Sequence, residues 1–212
     1  MVSRESSDAL SARWDTAYTG GPPPWDIGRP QPAMVRLADA GEMIGPLLDA
    51  GCGTGEHALM AAERGLEVVG LDAAPTAIRI AREKAVRRGL AVEFGVRDLR
   101  LLGSDASDVA LLGHFATVID SGTFHTFDDA DRARYVASLA AVVRPGGVLH
   151  VLCFSELTPG RSGPRRVTQA ELRTAFADGW AVEQIEAGRF AVNDGFAGEA
   201  PHAWLARIVR TG

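Results

Sequence analysis

Leu48-Asp49-Ala50-Gly51-Cys52-Gly53-Thr54-Gly55 places three alternate glycines directly after a short apolar run. The apolar run is typical of a buried strand, and a helical pattern of apolar residues begins after the glycines, at Glu56. Glycines between a strand and a helix allow a tight turn and let a ligand approach the backbone closely. The next apolar run ends at Asp72, about 20 residues further on, where such folds bind ribose hydroxyls. This stretch therefore predicts a nucleoside-binding strand-helix-strand unit.

The same alternation continues along the chain and predicts the fold class. Apolar runs separated by helical patterns of about 10–15 residues indicate βαβ units and a parallel sheet. A helix capped by Asp128 should end at Pro145-Gly146-Gly147. We expect strands over residues 47–50, 68–72, 92–94, 117–120, 148–154, 180–185 and 203–209. Since no helix separates the last two, the chain should be a doubly wound α/β protein whose mostly parallel, seven-stranded sheet has an antiparallel last strand.

The first 44 residues differ from the rest of the chain. Leu10, Trp14 and Tyr18 share one face of a predicted helix, and glycines 20 and 21 then end it. Residues 22–32, here called the proline-rich segment, contain five prolines and cannot form a regular helix or a central strand. We expect a single domain in which residues 1–44 form an N-terminal lid and residues 45–212 form the cofactor-binding core.

Composition excludes several classes of protein. With 212 residues, 46% hydrophobic and 23% charged, the chain resembles an ordinary globular domain and has no apolar run long enough to span a membrane. A net charge of −5 disfavours a nucleic-acid partner. Two isolated cysteines and the absence of a Cys/His cluster predict no metal site, and the polar start of the chain has no apolar signal core. We expect a cytoplasmic protein with a small-molecule partner.

The glycine spacing distinguishes between nucleoside ligands. A dinucleotide fingerprint needs a third glycine at position 56, where this chain has a glutamate that would repel a pyrophosphate. Asp49 adds a second negative charge before the turn. Such surroundings suit S-adenosylmethionine, which has an ammonium group, a sulfonium and no phosphate. Two alternatives stay open: a nicotinamide-dependent oxidoreductase and a catalytically silent module that binds S-adenosylmethionine.

Several segments resemble the motifs of class I S-adenosylmethionine-dependent methyltransferases, which have a Rossmann-like fold. These segments are residues 48–55, 69–78, 96–99, 118–121 and 139–148. The N-terminal part, with Trp14, Tyr18 and the sequence of residues 24–32, is similar to the thiopurine, thiol and halide methyltransferase group. The resemblance implies methyl transfer from S-adenosylmethionine to sulfur, nitrogen or oxygen of a small acceptor, a thiol or an aromatic heterocycle.

The resemblance, together with the position of each residue after a strand, implies a set of cofactor-binding residues. Asp72 should accept hydrogen bonds from the ribose, and Trp25 should offer an aromatic face to the sulfonium, worth about 0.5–2 kcal/mol. The full predicted set is Trp14, Trp25, Asp49, Gly51, Cys52, Gly53, Asp72, Ala73, Asp98, Leu99 and Asp120.

The acceptor should lie beyond the fourth strand. The implied acceptor-binding residues are Tyr18, Arg29, Phe124 and Phe127. Arg29 either contacts an acceptor anion or clamps nearby carbonyls. His125 is the candidate catalytic residue, because a neutral imidazole at about pH 7.5 can take a proton from a hydroxyl. The alternative is a histidine that only stabilises its turn.

Overall fold

A computed structural model describes residues 6–104, 106–160 and 163–212, without the side chains of residues 106 and 107. Residues 1–5 of the predicted lid lie outside the described residues. The helices are α1 (Ser7–Thr19), α2 (Pro32–Asp39), α3 (Glu56–Glu63), α4 (Pro75–Arg88), α5 (Asp129–Val142) and α6 (Gln169–Ala175). Three short 3₁₀ helices span Leu99–Leu101, Ala106–Leu111 and Phe124–Thr126. None of the described helices is long and apolar enough to cross a membrane.

The seven strands form one sheet in the order β3-β2-β1-β4-β5-β7-β6. Their bounds are β1 (Leu47–Ala50), β2 (Val68–Asp72), β3 (Glu93–Val96), β4 (Phe115–Ser121), β5 (Val143–Phe154), β6 (Trp180–Arg189) and β7 (His202–Arg210). Strands β1 to β5 pair in parallel, whereas β7 runs antiparallel to both of its neighbours, β5 and β6. This arrangement confirms the predicted doubly wound fold with an antiparallel last strand.

The two faces of the sheet are covered by different helices. Alternate side chains of a strand point to opposite faces, so Leu47 of β1 packs in one apolar cluster and Leu48 in the other. The Leu47 cluster includes Met34 of α2 and Leu59 of α3, and the Leu48 cluster includes Leu139 of α5. The carboxyl ends of β1, β2, β4 and β5 therefore open at one edge, between two buried layers.

The start of β5 differs from the prediction. The strand begins at Val143, which pairs with Phe115, and the next pair joins Val148 to Thr117. The pairing thus advances five residues along β5 for two along β4, and Gly146 has a φ of 76°. The predicted turn at residues 145–147 is therefore an irregularity within the strand, because β5 pairs with β4 both before and after these residues.

Candidate active site

A cavity of about 840 Å³ opens at the carboxyl edge of the sheet. Its floor is formed by the residues that follow β1, β2 and β4, and its cover by α1 and the proline-rich segment. β1 lies where the chain order of the sheet reverses, with β2 on one side and β4 on the other. Open α/β sheets bind ligands at this switch point.

The glycine turn leaves no room for side chains on the cavity floor. Gly51 has a φ of 79°, and a Cβ there would lie 1.8 Å from Oγ1 of Thr123. A Cβ on Gly53 would lie 3.0 Å from the hydroxyl oxygen of Tyr18. Gly55 packs α3 against its neighbours, since its Cβ would lie 2.9 Å from Ala81. Only glycine fits at the first of these positions, so the backbone itself forms the cavity wall.

Asp72 holds the glycine turn to the end of β2 and also faces the cavity. Its Oδ2 accepts a hydrogen bond from the Gly53 amide and its Oδ1 accepts one from the Ala74 amide, both at 2.8 Å. Burial raises the pKa of Asp72, although these amides oppose the rise. Each carboxylate oxygen keeps a second lone pair, so Asp72 can still accept hydrogen bonds from a ligand.

Most of the predicted cofactor and acceptor residues line this cavity. They are Trp14, Tyr18, Trp25, Arg29, Gly51, Cys52, Gly53, Asp72, Ala73, Leu99, His125 and Phe127. Tyr18 accepts a hydrogen bond from Nε1 of Trp25 at 3.2 Å, and the Trp14 ring meets Trp25 edge-on with centroids 6.0 Å apart. The structure therefore gathers the aromatic residues of α1 and the proline-rich segment over one end of the cavity.

Four predicted residues do not line the cavity, and the first two of these are carboxylates near β1 and β3. Asp49 is buried below the glycine turn, where it accepts a hydrogen bond from the Ala58 amide at 3.0 Å. Burial raises the pKa of Asp49 to about 8. Asp98 pairs with Arg100 at 2.7 Å and accepts a hydrogen bond from Ser7. Both carboxylates hold the local backbone, and neither is among the residues that line the cavity. Their direct contact with a ligand stays a prediction.

The other two are Asp120 and Phe124, which follow β4. Asp120 is buried and accepts hydrogen bonds from the Tyr135 hydroxyl at 2.7 Å and from the Thr123 amide at 2.8 Å. The Phe124 ring is fully buried and stacks on Phe176, with 5.6 Å between the ring centroids. The short 3₁₀ helix after β4 turns this ring into the core and the next residue, His125, towards the cavity. This position disfavours the predicted contact of Phe124 with the acceptor.

His125 lies at the aromatic end of the cavity, and its hydrogen bonding decides what it can do. Its Nδ1 accepts a hydrogen bond from the Phe154 amide at 2.9 Å. A ring nitrogen that accepts a hydrogen bond carries no proton, so the neutral ring has its proton on Nε2. Burial lowers the pKa of His125 to about 3, with further lowering by Arg166 and Arg132. The one lone pair that could take a proton is therefore occupied, which disfavours the predicted role of His125 as a general base.

Aromatic rings surround His125. The centroid of the Phe154 ring lies 4.7 Å from the imidazole centroid, and that of Phe190 lies 6.0 Å away. Phe127 and Phe196 also line the cavity. Phe190 and Phe196 lie in the connection between β6 and β7, and they were not predicted as site residues from the sequence. Nothing in the local pattern of residues 190–201 links them to the ends of β4 and β5.

Two further missed residues attach the proline-rich segment to that connection. The side-chain amide of Asn193 donates to the carbonyl oxygens of Pro23 and Asp26, at 2.8 and 3.0 Å. The side chain of Gln31 donates to the Ala191 carbonyl and accepts from the Ala191 amide, both at 2.8 Å. The cover of the cavity is therefore fastened to its aromatic wall.

Among the described residues, no group of three or more His, Cys, Asp or Glu could hold a metal ion. The sheet order, the glycine turn and Asp72 at the end of β2 define the class of the protein: a Rossmann-like α/β protein that binds a nucleoside-bearing ligand at the switch point.

Comparisons with known proteins identify the family. Residues 47–147 match the model of a family described as a methyltransferase domain. A 2-heptyl-1-hydroxyquinolin-4(1H)-one methyltransferase from Mycobacteroides abscessus is 42% identical over 197 residues, covering 91% of this chain and 80% of that protein. A probable thiol methyltransferase 2 from Arabidopsis thaliana is 29% identical, covering 73% of this chain and 66% of that protein. A solved structure described as "Conversion of a Disulfide Bond into a Thioacetal Group during Echinomycin Biosynthesis" has a TM-score of 0.84 and 37% identity, covering 95% and 93% of the two chains.

The chain belongs to the class I S-adenosylmethionine-dependent methyltransferases. It is therefore an enzyme that uses S-adenosylmethionine. The family excludes the nicotinamide-dependent oxidoreductase that the sequence left open.

Proposed function

We propose that this enzyme methylates a small, planar aromatic acceptor, a heterocycle that carries a hydroxyl, a thiol or a ring nitrogen. One observation carries the proposal: a single cavity joins the glycine turn and Asp72 to an aromatic pocket around His125. Its volume of about 840 Å³ lies in the range of sites that enclose small ligands. The hydroxyquinolone methyltransferase that is 42% identical to this chain supports an aromatic heterocycle, and the thiol methyltransferase supports sulfur as the alternative nucleophile.

The cofactor end of the cavity suits S-adenosylmethionine. Asp72 would accept from the ribose hydroxyls, and the backbone from Gly51 to Gly53 would lie against the rest of the molecule without side-chain obstruction. Leu99 would contact the adenine, and the rings of Trp14 and Trp25 would face the sulfonium. When bound, S-adenosylmethionine supplies a methyl group on a positively charged sulfur, which is a strong electrophile.

The acceptor end offers rings for stacking and few polar groups. Phe127, Phe154 and Phe190 would hold a planar acceptor by edge and face contacts. The acceptor must present its nucleophile in line with the carbon–sulfur bond that breaks. Holding both partners in this geometry and excluding water supply most of the rate of such a transfer.

The proposal also includes the organisation of the chain. Residues 45–212 form the core of a single domain, and residues 1–44 form a lid that excludes water when it closes. The acceptor is a free small molecule rather than a nucleic acid, since the cavity is partly covered by α1 and the proline-rich segment and the chain carries a net charge of −5. We place the enzyme in the cytoplasm, because its two cysteines are both free and buried.

A screen with methyl-labelled S-adenosylmethionine tests the function. The panel contains hydroxyquinolones, thiopurines, phenols, aliphatic thiols and halide ions, and the product is identified by mass. We expect transfer to aromatic members and little to aliphatic thiols or halides. Phe190→Ala should lower kcat/KM for aromatic acceptors by the equivalent of about 1–3 kcal/mol, because it removes one ring from the wall of the pocket. The exposed Val86→Ala is the matched control and should leave kcat/KM unchanged. Transfer to aliphatic thiols or halides alone would contradict the proposal.

A further inference from the structure

Two groups at the cofactor end of the cavity that could remove a proton from an acceptor, Glu56 and His57, are occupied. Glu56 pairs with Lys84 at 2.8 Å and with Arg88 at 2.9 Å. His57 accepts a hydrogen bond from the Gln31 amide through Nε2, and burial lowers the pKa of His57 to about 4. These groups have fixed partners, so they are poorly suited to take up a proton during turnover.

The acceptor end shows the same pattern. The Nδ1 lone pair of His125 accepts a hydrogen bond from the Phe154 amide. The carboxylate of Asp26 accepts from Thr54 at 2.8 Å and from the Gly28 amide at 3.1 Å. Asp128 caps α5 by accepting from the Asp131 amide at 2.8 Å. The carboxylates of Asp26 and Asp128 therefore serve as local caps, and the imidazole of His125 is a hydrogen-bond donor.

The donor of that imidazole is available to a ligand. Nε2 of His125 makes no hydrogen bond with other residues in the described part of the chain, and a Cβ on neighbouring Gly122 would lie 3.5 Å from it. Both residues line the cavity. Ser121, which also lines it, has a hydroxyl without a hydrogen-bond partner among the described residues.

Positively charged side chains contribute to the electrostatics of His125. Arg132 of α5 and Arg166 of the loop after β5 are the charged groups that act most on the ring. Arg29 of the proline-rich segment is exposed, lines the cavity and has no ion pair within the described residues. Opposite charges reduce this effect, since Arg132 lies 3.5 Å from Glu171, and Asp128 is exposed at the start of α5.

Building on the proposed function, we propose that the acceptor binds as an anion that water has already deprotonated, and that the Nε2–H of His125 donates a hydrogen bond to its charged oxygen or sulfur. The anion forms the new bond to the methyl carbon with its own electron pair. The carbon–sulfur bond breaks and its pair stays on sulfur, which leaves as a neutral thioether. No proton moves during the transfer. The substrate class is therefore acidic hydroxy- or mercapto-heteroaromatics, and His125 selects them.

The pH dependence of methyl transfer separates this inference from base catalysis. kcat/KM is measured across pH for two aromatic acceptors from the screen whose own pKa values differ. We expect the rise in kcat/KM to follow the pKa of each acceptor. A rise at the same pH for both acceptors would show a protein base and overturn the inference, while the proposed function would stand. If no aromatic acceptor is methylated although S-adenosylhomocysteine binds, the proposed function fails and the inference falls with it.

A spectroscopic titration provides a second readout that does not depend on turnover. Nitrophenol, whose absorbance changes on ionisation, is titrated into the enzyme with S-adenosylhomocysteine. We expect bound nitrophenol to absorb as the anion at a pH where the free compound is still protonated. His125→Phe should remove that shift and raise KM by about 10- to 100-fold for both acceptors, the cost of one hydrogen bond to a charged group, with little loss in kcat. His114→Gln, at a distant position, should change neither. Binding of the neutral phenol, or no binding even of the anion, would contradict the inference.

Discussion

Oγ1 of Thr54 donates a hydrogen bond to the carboxylate of Asp26 over 2.8 Å, which joins the glycine turn to the proline-rich segment. Nζ of Lys84 lies 2.7 Å from the same hydroxyl oxygen and donates to it. The segment that covers the cavity is thus bonded directly to the loop on which the cofactor should lie. We therefore expect occupancy of the turn and closure of the cover to depend on each other.

Limited proteolysis should detect this dependence. Cleavage near glycines 20 and 21 should slow when S-adenosylhomocysteine is added, because the ligand stabilises the closed cover. Asn193→Ala should speed cleavage several-fold in both states, since the variant loses two hydrogen bonds of about 0.5–1.5 kcal/mol each to Pro23 and Asp26.

Asn193→Asp is the matched variant for this experiment. It keeps Oδ1, which accepts from the Gly195 amide, and loses only the two donated hydrogen bonds. Cleavage should be as fast as in Asn193→Ala or faster, because a carboxylate repels the two carbonyl oxygens. Equal cleavage rates with and without S-adenosylhomocysteine in the unaltered enzyme would argue against a lid.

Asp72→Ala should weaken S-adenosylhomocysteine binding by about 10- to 100-fold, the loss of one or two hydrogen bonds to a charged acceptor. Calorimetric titration measures the affinity, and thermal unfolding shows whether the variant keeps its fold. Asp39→Ala removes an exposed carboxylate that pairs with Arg64 and serves as the control. Unchanged affinity in a folded Asp72→Ala enzyme would remove the ribose assignment.

Gly51→Ala should lower the unfolding temperature by roughly 2–12 °C, corresponding to about 1–3 kcal/mol of backbone strain and steric overlap. The new Cβ would lie 1.8 Å from Oγ1 of Thr123, at a φ of 79°. Adding Thr123→Ala should restore the part of the stability that is lost through steric overlap with Oγ1, but not the part that is lost through the positive φ. Gly188→Ala, where a Cβ meets nothing within 4 Å, is the control. A Gly51→Ala enzyme as stable as this control would contradict the close packing of the turn.

Asp49 should make the enzyme less stable as pH rises. Burial raises the pKa of Asp49 from its ordinary 3.8 to about 8, so between these values the folded state keeps a proton that the unfolded chain releases. The stability contributed by this proton is present below about pH 4 and is lost as pH rises towards about 8. Asp49→Asn cannot titrate and keeps an oxygen for the Ala58 amide. As pH rises from about 5 to about 9, the unfolding temperature of the variant should therefore increase relative to that of the unaltered enzyme. Parallel melting curves across this range would show that Asp49 stays ionised in the fold.

The sheet and the cofactor end could be predicted from the sequence because they depend on local patterns. Alternating strands and helices fix the topology, and the glycine turn followed by Asp72 places two parts of the site at adjacent strand ends. The roles of Phe124 and His125 could not be assigned in this way. Whether each ring turns inwards or towards the cavity depends on the 3₁₀ helix after β4, and adjacent residues there point in different directions.

The acceptor wall was harder to predict for a different reason. The sequence around Asn193 and around Gln31 gives no sign of their roles, since their hydrogen-bond partners lie near the opposite end of the chain. Phe190 contributes to the pocket only because β6 and β7 bring the connection between them back across the ends of β4 and β5. Such contacts follow from tertiary structure and leave no periodic signal in the sequence.

Phe190 and Asn193 are three positions apart, one on the wall of the acceptor pocket and the other fastening the cover. We therefore expect a substitution made in this short connection to change both the shape of the pocket and the attachment of the cover. Engineering the enzyme for bulkier acceptors by shortening or replacing residues 190–201 would disturb both properties at once. Broadening the pocket from the side of Phe127 would separate the two properties, because that side of the wall follows β4 and makes no hydrogen bond to the cover within the described residues.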